Sequence, residues 1–147
     1  MNDASPAPSI HATCVLVGAR GVLIRGPSGS GKSRLALRLL QAAERGRIRF
    51  ARLVSDDRTL VASSHGRLLA RPVPALAGMI EIRGSGIRQL PHEPMAVIAL
   101  VVDLASPGER LPRDNLVEVS GVRLDRLAVP AESDPLPLVL AALTYAA

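Results

Sequence analysis

Apolar residues in the first third of the chain form two short runs followed by a longer helical pattern. The β-branched runs at 15–17 and 22–24 flank Gly-Ala-Arg-Gly at 18–21, and two such runs around a glycine-containing turn are typical of a β-hairpin. From Gly31 to Glu44, Leu and Ala recur every three or four residues, which predicts an amphipathic helix that Gly46 ends.

Later apolar runs are short and separated by turn residues, which predicts further strands and one more helix. Residues 50–54 predict a buried strand, and 95–104, the most apolar stretch, predicts a central strand of a sheet. The other strands are predicted in pairs or singly, at 59–62 with 67–70, at 79–83, and at 117–119 with 122–124. A final helix is predicted from Pro135 to Tyr145, with Ser133 or Asp134 as its N-cap.

The order of these elements predicts a single α/β domain with a largely β core and few helices. The chain has 147 residues, the size of one ordinary domain, and shows no internal repeat. Residues 1–9 are small, polar and proline-containing, so we expect a flexible tail before one domain at 10–147.

Composition narrows the class of protein. Hydrophobic residues make up 48% of the chain but aromatic residues only 1%, so Leu, Val, Ile and Ala must fill the core. Cys14 is the only cysteine, so no intrachain disulfide can form, and we expect a reducing, cytoplasmic location. No signal-peptide pattern is evident, and the longest apolar run, 95–102, is too short to span a bilayer.

The formal net charge of +5 raises the question of nucleic-acid binding. The arginines are scattered along the chain, and Phe50 and Tyr145 are the only aromatic residues, so there is no platform on which bases could stack. We therefore expect neither a nucleic acid nor a membrane as partner.

The sequence GPSGSGKS at 26–33 matches the Walker A pattern, with an apolar strand before it and a helix after it. Glycines let successive backbone N–H groups point inward at phosphate oxygens, and the helix N-terminus adds partial positive charge. Lys32, the only lysine in the chain, is expected to reach the β- and γ-phosphates, and the Ser33 hydroxyl to bind Mg²⁺. The predicted ATP-binding residues are Gly26, Pro27, Ser28, Gly29, Ser30, Gly31, Lys32 and Ser33.

Two charged clusters are candidates for metal binding and for activation of the group that accepts the phosphate. Asp56 and Asp57 follow a buried strand, where a carboxylate can hold the metal or activate a nucleophile, although aspartate is also a common turn residue. Glu81 and Arg83 lie two residues apart, on one face of a strand, which suits metal binding beside a phosphate-binding guanidinium. His11 precedes the first strand and by itself is more often a surface or capping residue.

In combination, these motifs resemble the C-terminal catalytic domain of HPr kinase/phosphorylase. The matching segments are Ser-Ile-His at 9–11, the loop at 26–33, Leu-Val-Ser-Asp-Asp at 53–57 and Glu-Ile-Arg-Gly-Ser-Gly-Ile at 81–87. The family has an E-I-R-G-L-G-I signature, which is the most specific of them, and a G-D-S-G-x-G-K-S loop. This chain departs from both, with Pro27 in place of the usual Asp and Ser85 in place of the usual Leu.

The resemblance implies an ATP-dependent protein serine kinase with the phosphate-loop fold shared with phosphoenolpyruvate carboxykinases. Its substrate would be HPr or the nitrogen-branch HPr-like carrier of the bacterial phosphotransferase system. Lys32 would bind phosphate, Ser33 and Glu81 would bind Mg²⁺, and Asp56, or alternatively Asp57, would be the general base.

The resemblance also implies roles for a histidine and for arginines. His11 would lie beside the two aspartates and tune them, Arg83 would lie near the transferring phosphoryl group, and Arg110, or Arg113 behind it, would be the downstream arginine of the family. Longer members form homohexamers through this domain, which implies a homo-oligomer. Residues 129–140 lack the V-R-P-G-R-N-like stretch associated with phosphorolysis, so the kinase reaction is favoured over phosphorylase activity.

Two alternatives remain open from the sequence. The same loop could belong to a small-molecule kinase or nucleotidase, or to a nucleotide-binding regulatory module that transfers no phosphate. A regulatory module needs no base, so the acidic pair at 56 and 57 argues mildly against it.

Overall fold

The computed structural model describes residues 8–106 and 115–145, which form a strand-rich α/β domain. In chain order its elements are β1 (Ser9–Ile10), β2 (Ala12–Val17), β3 (Arg20–Arg25), α1 (Lys32–Glu44), β4 (Ala51–Ser55), β5 (Thr59–Ser64), β6 (Arg67–Pro72), a 3₁₀ helix (Pro74–Leu76), β7 (Met79–Ile82), β8 (Gly86–Gln89), β9 (Ala96–Ser106), β10 (Leu116–Val119), β11 (Val122–Pro130) and α2 (Pro135–Thr144). Within this described part, no helix is both long and apolar enough to cross a membrane.

Strand β9 is the centre of the main sheet, as its apolar sequence predicts. The sheet has the order β1-β5-β6-β9-β3-β2-β4, and β11, with β10 at its side, also pairs with β9. The β9 strand runs parallel to β3 and β11 and antiparallel to β6. The hairpin of β7 and β8 forms a separate small sheet.

Alternating side chains of the main sheet divide the core in two. In β3, Val22 and Ile24 point toward a cluster that includes Leu35 and Leu39 of α1, whereas Leu23 points into a cluster on the other face. This follows from the two-residue period of a strand, which sends neighbouring side chains to opposite faces. The largest fully buried side chains are Leu, Ile and Val, so aliphatic residues fill the core as the composition predicts.

The two helices begin where the sequence places them. Gly31 is the N-cap of α1, and the Asp134 side chain caps α2 by accepting a hydrogen bond from the Leu136 N–H. Of the two residues predicted for that cap, Asp134 is therefore the one used.

The sheet differs most from the sequence prediction in β1, β8 and β11. Ser9 of β1 pairs with Leu60 of β5, so the sheet begins at the last residue of the predicted tail. Strand β8 was not predicted, and β11 is longer than predicted because its second half pairs with β9. Pairing with a distant strand leaves no local signal in the sequence, which explains why the local pattern stops short.

The close approach of β3 to β9 at Gly21 gives a test of the sheet. A Cβ atom at Gly21 would lie 2.6 Å from the Val97 carbonyl oxygen and 3.1 Å from the Ala96 Cβ. Backbone cannot move aside as a flexible side chain can, so Gly21→Ala is expected to lower the free energy of unfolding by about 1–3 kcal/mol. Urea denaturation measures this change, and a variant as stable as the parent would contradict the packing described.

Candidate active site

The phosphate-binding loop, residues 26–33, wraps around the Lys32 ammonium group. Lys32 is the first residue of α1 and is only 6% exposed. Its Nζ donates hydrogen bonds to the carbonyl oxygens of Gly26, at 2.9 Å, and Pro27, at 3.3 Å. An ammonium group has three donors, so one is left for an anion in the loop.

The start of the loop is closely packed, and one of its hydroxyl groups has no partner. A Cβ atom on Gly26 would lie 2.5 Å from Ser30 Oγ and 3.1 Å from Leu104 Cβ, so only glycine fits there. Among the side-chain polar atoms of residues 8–106 and 115–145, Ser30 Oγ is the one that is buried without a hydrogen bond. A buried hydroxyl without a partner is costly, and this one suits a loop that binds a polar ligand.

Asp56 joins three elements at the carboxyl end of β4. Its Oδ1 accepts hydrogen bonds from the hydroxyls of Ser33, at 2.6 Å, and Thr13, at 2.9 Å. Its Oδ2 accepts a 3.0 Å hydrogen bond from the backbone N–H of Glu81. The residue is 9% exposed. The Asp56 carboxylate is therefore fixed next to the first turn of α1.

Asp57 has the opposite environment, although it is the next residue. Its side chain is 64% exposed, and its Oδ1 lies 2.6 Å from Nε2 of His11. Its backbone N–H donates to Thr13 Oγ1 at 3.2 Å, and its φ of +65° is uncommon for a residue other than glycine. The left-handed backbone directs this second carboxylate away from the buried one, so the pair presents one buried and one accessible carboxylate.

Glu81 lies in β7, whereas Arg83 lies just after that strand, so the predicted single strand face does not hold both residues. The backbone of Glu81 is held to Asp56, and its side chain is exposed. Arg83 is exposed and lies in the turn between β7 and β8. The structure thus brings together His11, Ser33, Asp56, Asp57 and the β7 segment that carries Glu81. The candidates Arg110 and Arg113 lie outside the described residues.

Sequence reasoning missed Thr13, which is fully buried and contacts both aspartates through its hydroxyl. The available signal was a polar residue inside the apolar strand Ala-Thr-Cys-Val-Leu-Val. A hydroxyl buried in such a strand needs a partner, and here the partner is the acidic pair.

A second missed group lies at the start of the phosphate-binding loop. Arg25 donates from Nε and Nη2 to the two carboxylate oxygens of Asp103, at 2.7 and 2.8 Å. Arg126 Nε donates to the same carboxylate at 2.5 Å. Burial would raise the pKa of Asp103, but the hydrogen bonds from both arginines outweigh it and hold the pKa below its ordinary value. Asp103 is charged and follows an apolar run, which is the signal that could have identified it.

The donor set fits a polyphosphate with Mg²⁺. The loop offers an ammonium group and an unpaired hydroxyl for phosphate oxygens. The adjoining Ser33 hydroxyl and Asp56 carboxylate are hard oxygen ligands, and Mg²⁺ usually takes one or two carboxylates together with phosphates and waters. The arrangement can therefore bind a nucleotide triphosphate beside an accessible carboxylate.

Comparison with known proteins agrees with this geometry. The family described as HPr Serine kinase C-terminal domain matches residues 2–133. The HPr kinase/phosphorylase of Clostridium tetani is 31% identical over 142 residues, which are 91% of this chain and 44% of that protein. The HPr kinase/phosphorylase of Streptococcus thermophilus is 31% identical over 139 residues, 85% of this chain and 43% of that protein. The chain thus spans less than half the length of these relatives.

A solved structure shows the same fold. The HPr(Ser) kinase/phosphatase from Coxiella burnetii superposes with a TM-score of 0.73 at 24% sequence identity, covering 92% of this chain and 88% of that one. This likeness confirms the strand-rich α/β phosphate-loop fold predicted from the sequence.

Proposed function

Because the chain belongs to the HPr serine kinase C-terminal domain family, we propose that it transfers the γ-phosphoryl group of ATP to a protein serine. The acceptor we propose is HPr or the nitrogen-branch HPr-like carrier of the bacterial phosphotransferase system. The observation that carries the proposal is the hydrogen bond from Ser33 to Asp56, which places an acidic residue directly beside the phosphate-binding loop.

Binding of ATP rests on Lys32 and the backbone of the loop. The Lys32 ammonium group is already directed into the loop by the carbonyls of Gly26 and Pro27. Its remaining donor and the inward N–H groups would bind the β- and γ-phosphates, and the α1 N-terminus adds partial positive charge. These groups stabilise charge that moves onto the phosphate oxygens during transfer.

Asp56 and Ser33 would hold Mg²⁺, with Glu81 as a further ligand. Support for Asp56 comes from its burial and from its contact with the Ser33 hydroxyl. When bound, Mg²⁺ neutralises charge on the β- and γ-phosphates. Thr13 and the Glu81 N–H keep the Asp56 carboxylate in its orientation through their hydrogen bonds.

Asp57 is the better placed of the two aspartates to act as the general base. The sequence favoured Asp56 and kept Asp57 as the alternative. Both oxygens of Asp56 already accept hydrogen bonds, whereas Asp57 is exposed to an incoming protein and has His11 as its side-chain partner. A base must be able to approach the hydroxyl whose proton it takes.

The proposed step is an in-line displacement on the γ-phosphorus. The serine oxygen forms a bond to phosphorus while the bond to the β,γ-bridging oxygen breaks, and ADP leaves. The serine proton passes to the Asp57 carboxylate, with His11 beside it. Arg83 would contact the transferring phosphoryl group from the β7–β8 turn.

Incubation with labelled ATP, Mg²⁺ and purified HPr tests the proposal. We expect label on one serine of HPr and none on HPr in which that serine is alanine. Release of labelled phosphate without labelled HPr would favour a nucleotidase, and ATP binding without turnover would favour a regulatory module, so either result would overturn the proposal. Cytoplasmic location and homo-oligomeric assembly remain predictions.

A further inference from the structure

We infer that Asp103 is a positioning residue for the phosphate-binding loop, an inference that rests on the proposed nucleotide binding. We call the hydrogen-bonded side chains of Arg25, Asp103 and Arg126 the anchor. Asp103 would act through Arg25, which directly precedes the loop, and would touch neither ATP nor the protein substrate.

The first support is the geometry of the ion pair. Arg25 and Asp103 are register partners on the parallel strands β3 and β9, and the guanidinium forms two hydrogen bonds with the carboxylate. Such a bidentate pair fixes orientation as well as distance. The Asp103 side chain is 15% exposed and that of Arg25 is 31% exposed, so water competes weakly with the pair.

The residues that follow Arg25 and Asp103, namely Gly26 and Leu104, also lie close together. Leu104 follows Asp103, and its side chain and carbonyl would lie 3.1 and 3.2 Å from a Cβ atom on Gly26, the residue after Arg25. Asp103 and Leu104 at the end of β9 therefore contact Arg25 and Gly26, where β3 ends and the loop begins. The orientation of the Gly26 peptide, whose carbonyl accepts from Lys32, is set at this point.

Arg126 holds the carboxylate from the other side. It comes from β11, and its guanidinium contacts Asp103 at 2.5 Å and the Ser106 hydroxyl at 3.4 Å. Asp103 is therefore hydrogen-bonded to side chains of both neighbouring strands, β3 and β11. The bond to Arg126 keeps the carboxylate in place if the loop and Arg25 move. This rigid support limits the motion of the loop, and misplacement of a binding group by about 1 Å can cost about 10²-fold in function.

The test measures affinity for MgATP by equilibrium titration, together with transfer kinetics. Arg25→Gln frees the loop but leaves Asp103 paired with Arg126, so we expect the Kd for MgATP to rise by about tenfold or more. Arg126→Gln leaves the Arg25 pair intact, so we expect a smaller rise. Glu93→Gln is the matched control, because it breaks a partly buried ion pair with Arg52 that involves no loop residue, and its Kd should stay at the parental value.

A double-mutant cycle separates positioning from direct contact. If Asp103 acts through Arg25, adding Asp103→Asn to Arg25→Gln changes the Kd little beyond the larger single effect. Additive losses would mean that Arg25 contacts the phosphate independently, and would overturn the inference. Thermal unfolding of each variant shows which are folded at the temperature of the titration.

The same titration distinguishes failure of this inference from failure of the proposed function. If the parent binds MgATP and Arg25→Gln binds it equally well, the anchor has no positioning role although the kinase proposal stands. Equal rises in Kd for Arg25→Gln and Arg126→Gln would point to general weakening of the sheet and would also overturn the inference. If the parent does not bind MgATP, the proposed function itself fails.

Discussion

Replacement of Lys32 by alanine is expected to lower the rate of phosphoryl transfer to HPr by about 10²–10³-fold or more. The ammonium group is buried at the centre of the phosphate-binding loop, and no other lysine exists in the chain to replace it. Its loss removes charge stabilisation where negative charge moves from the γ- to the β-phosphate. Single-turnover transfer of labelled phosphate measures the effect.

Lys32→Arg is the informative companion variant, because it keeps the charge. Nζ of Lys32 fits between the carbonyls of Gly26 and Pro27, where a broad planar guanidinium would displace the loop. We therefore expect Lys32→Arg to be nearly as impaired as Lys32→Ala. Near-parental transfer by either variant would remove Lys32 from the mechanism.

Asp57→Asn is expected to lower kcat for HPr phosphorylation by about 10²–10⁴-fold while leaving the Kd for MgATP unchanged. The amide keeps the size of the side chain but cannot take the serine proton. Asp56→Asn should instead weaken Mg²⁺-dependent nucleotide binding, because Asp56 lies against Ser33 and is buried. Titration of MgATP and single-turnover transfer together separate the two roles.

The opposite pattern would reverse the assignment. If Asp57→Asn transfers phosphate normally and Asp56→Asn binds MgATP but does not transfer it, then Asp56 is the base, as the sequence favoured. His11→Ala offers a further comparison, because His11 touches Asp57 and not Asp56. Its effect should fall on kcat and be absent in the Asp57→Asn background.

Hydrophobic patterns within single segments of the sequence were sufficient to predict α1 and β9. The helix after the loop and the central strand β9 follow from hydrophobic periodicity and from a continuous apolar run. The β7–β8 hairpin was only half predicted, because all four residues of β8 are exposed and show no alternation. The pairing of β11 with β9 joins residues 25 positions apart in sequence, such as Leu100 and Asp125, and had no local signal.

The candidate site also combines features that have local sequence signals with features that depend on distant contacts. The loop could be identified from its glycines, and the two aspartates from their place after a strand. Their different environments depend on the φ of Asp57 and on the contacts of Thr13 and Ser33, which come from separate elements. Asp103 was missed for the same reason, since both of its arginine partners come from other strands.

The main sheet holds the phosphate-binding loop and the His11–Asp57 pair at different distances from its edges. The strand that leads into the phosphate-binding loop lies in the interior, between β9 and β2, whereas β1 next to His11 and β4 before the aspartates are the two ends of the strand order. Fraying begins at such ends, and β1 is the shorter of the two, with two residues that pair only with β5 within the sheet. Transient opening of β1 can therefore move His11 away from Asp57 while the interior strand β3 and the phosphate-binding loop stay in place.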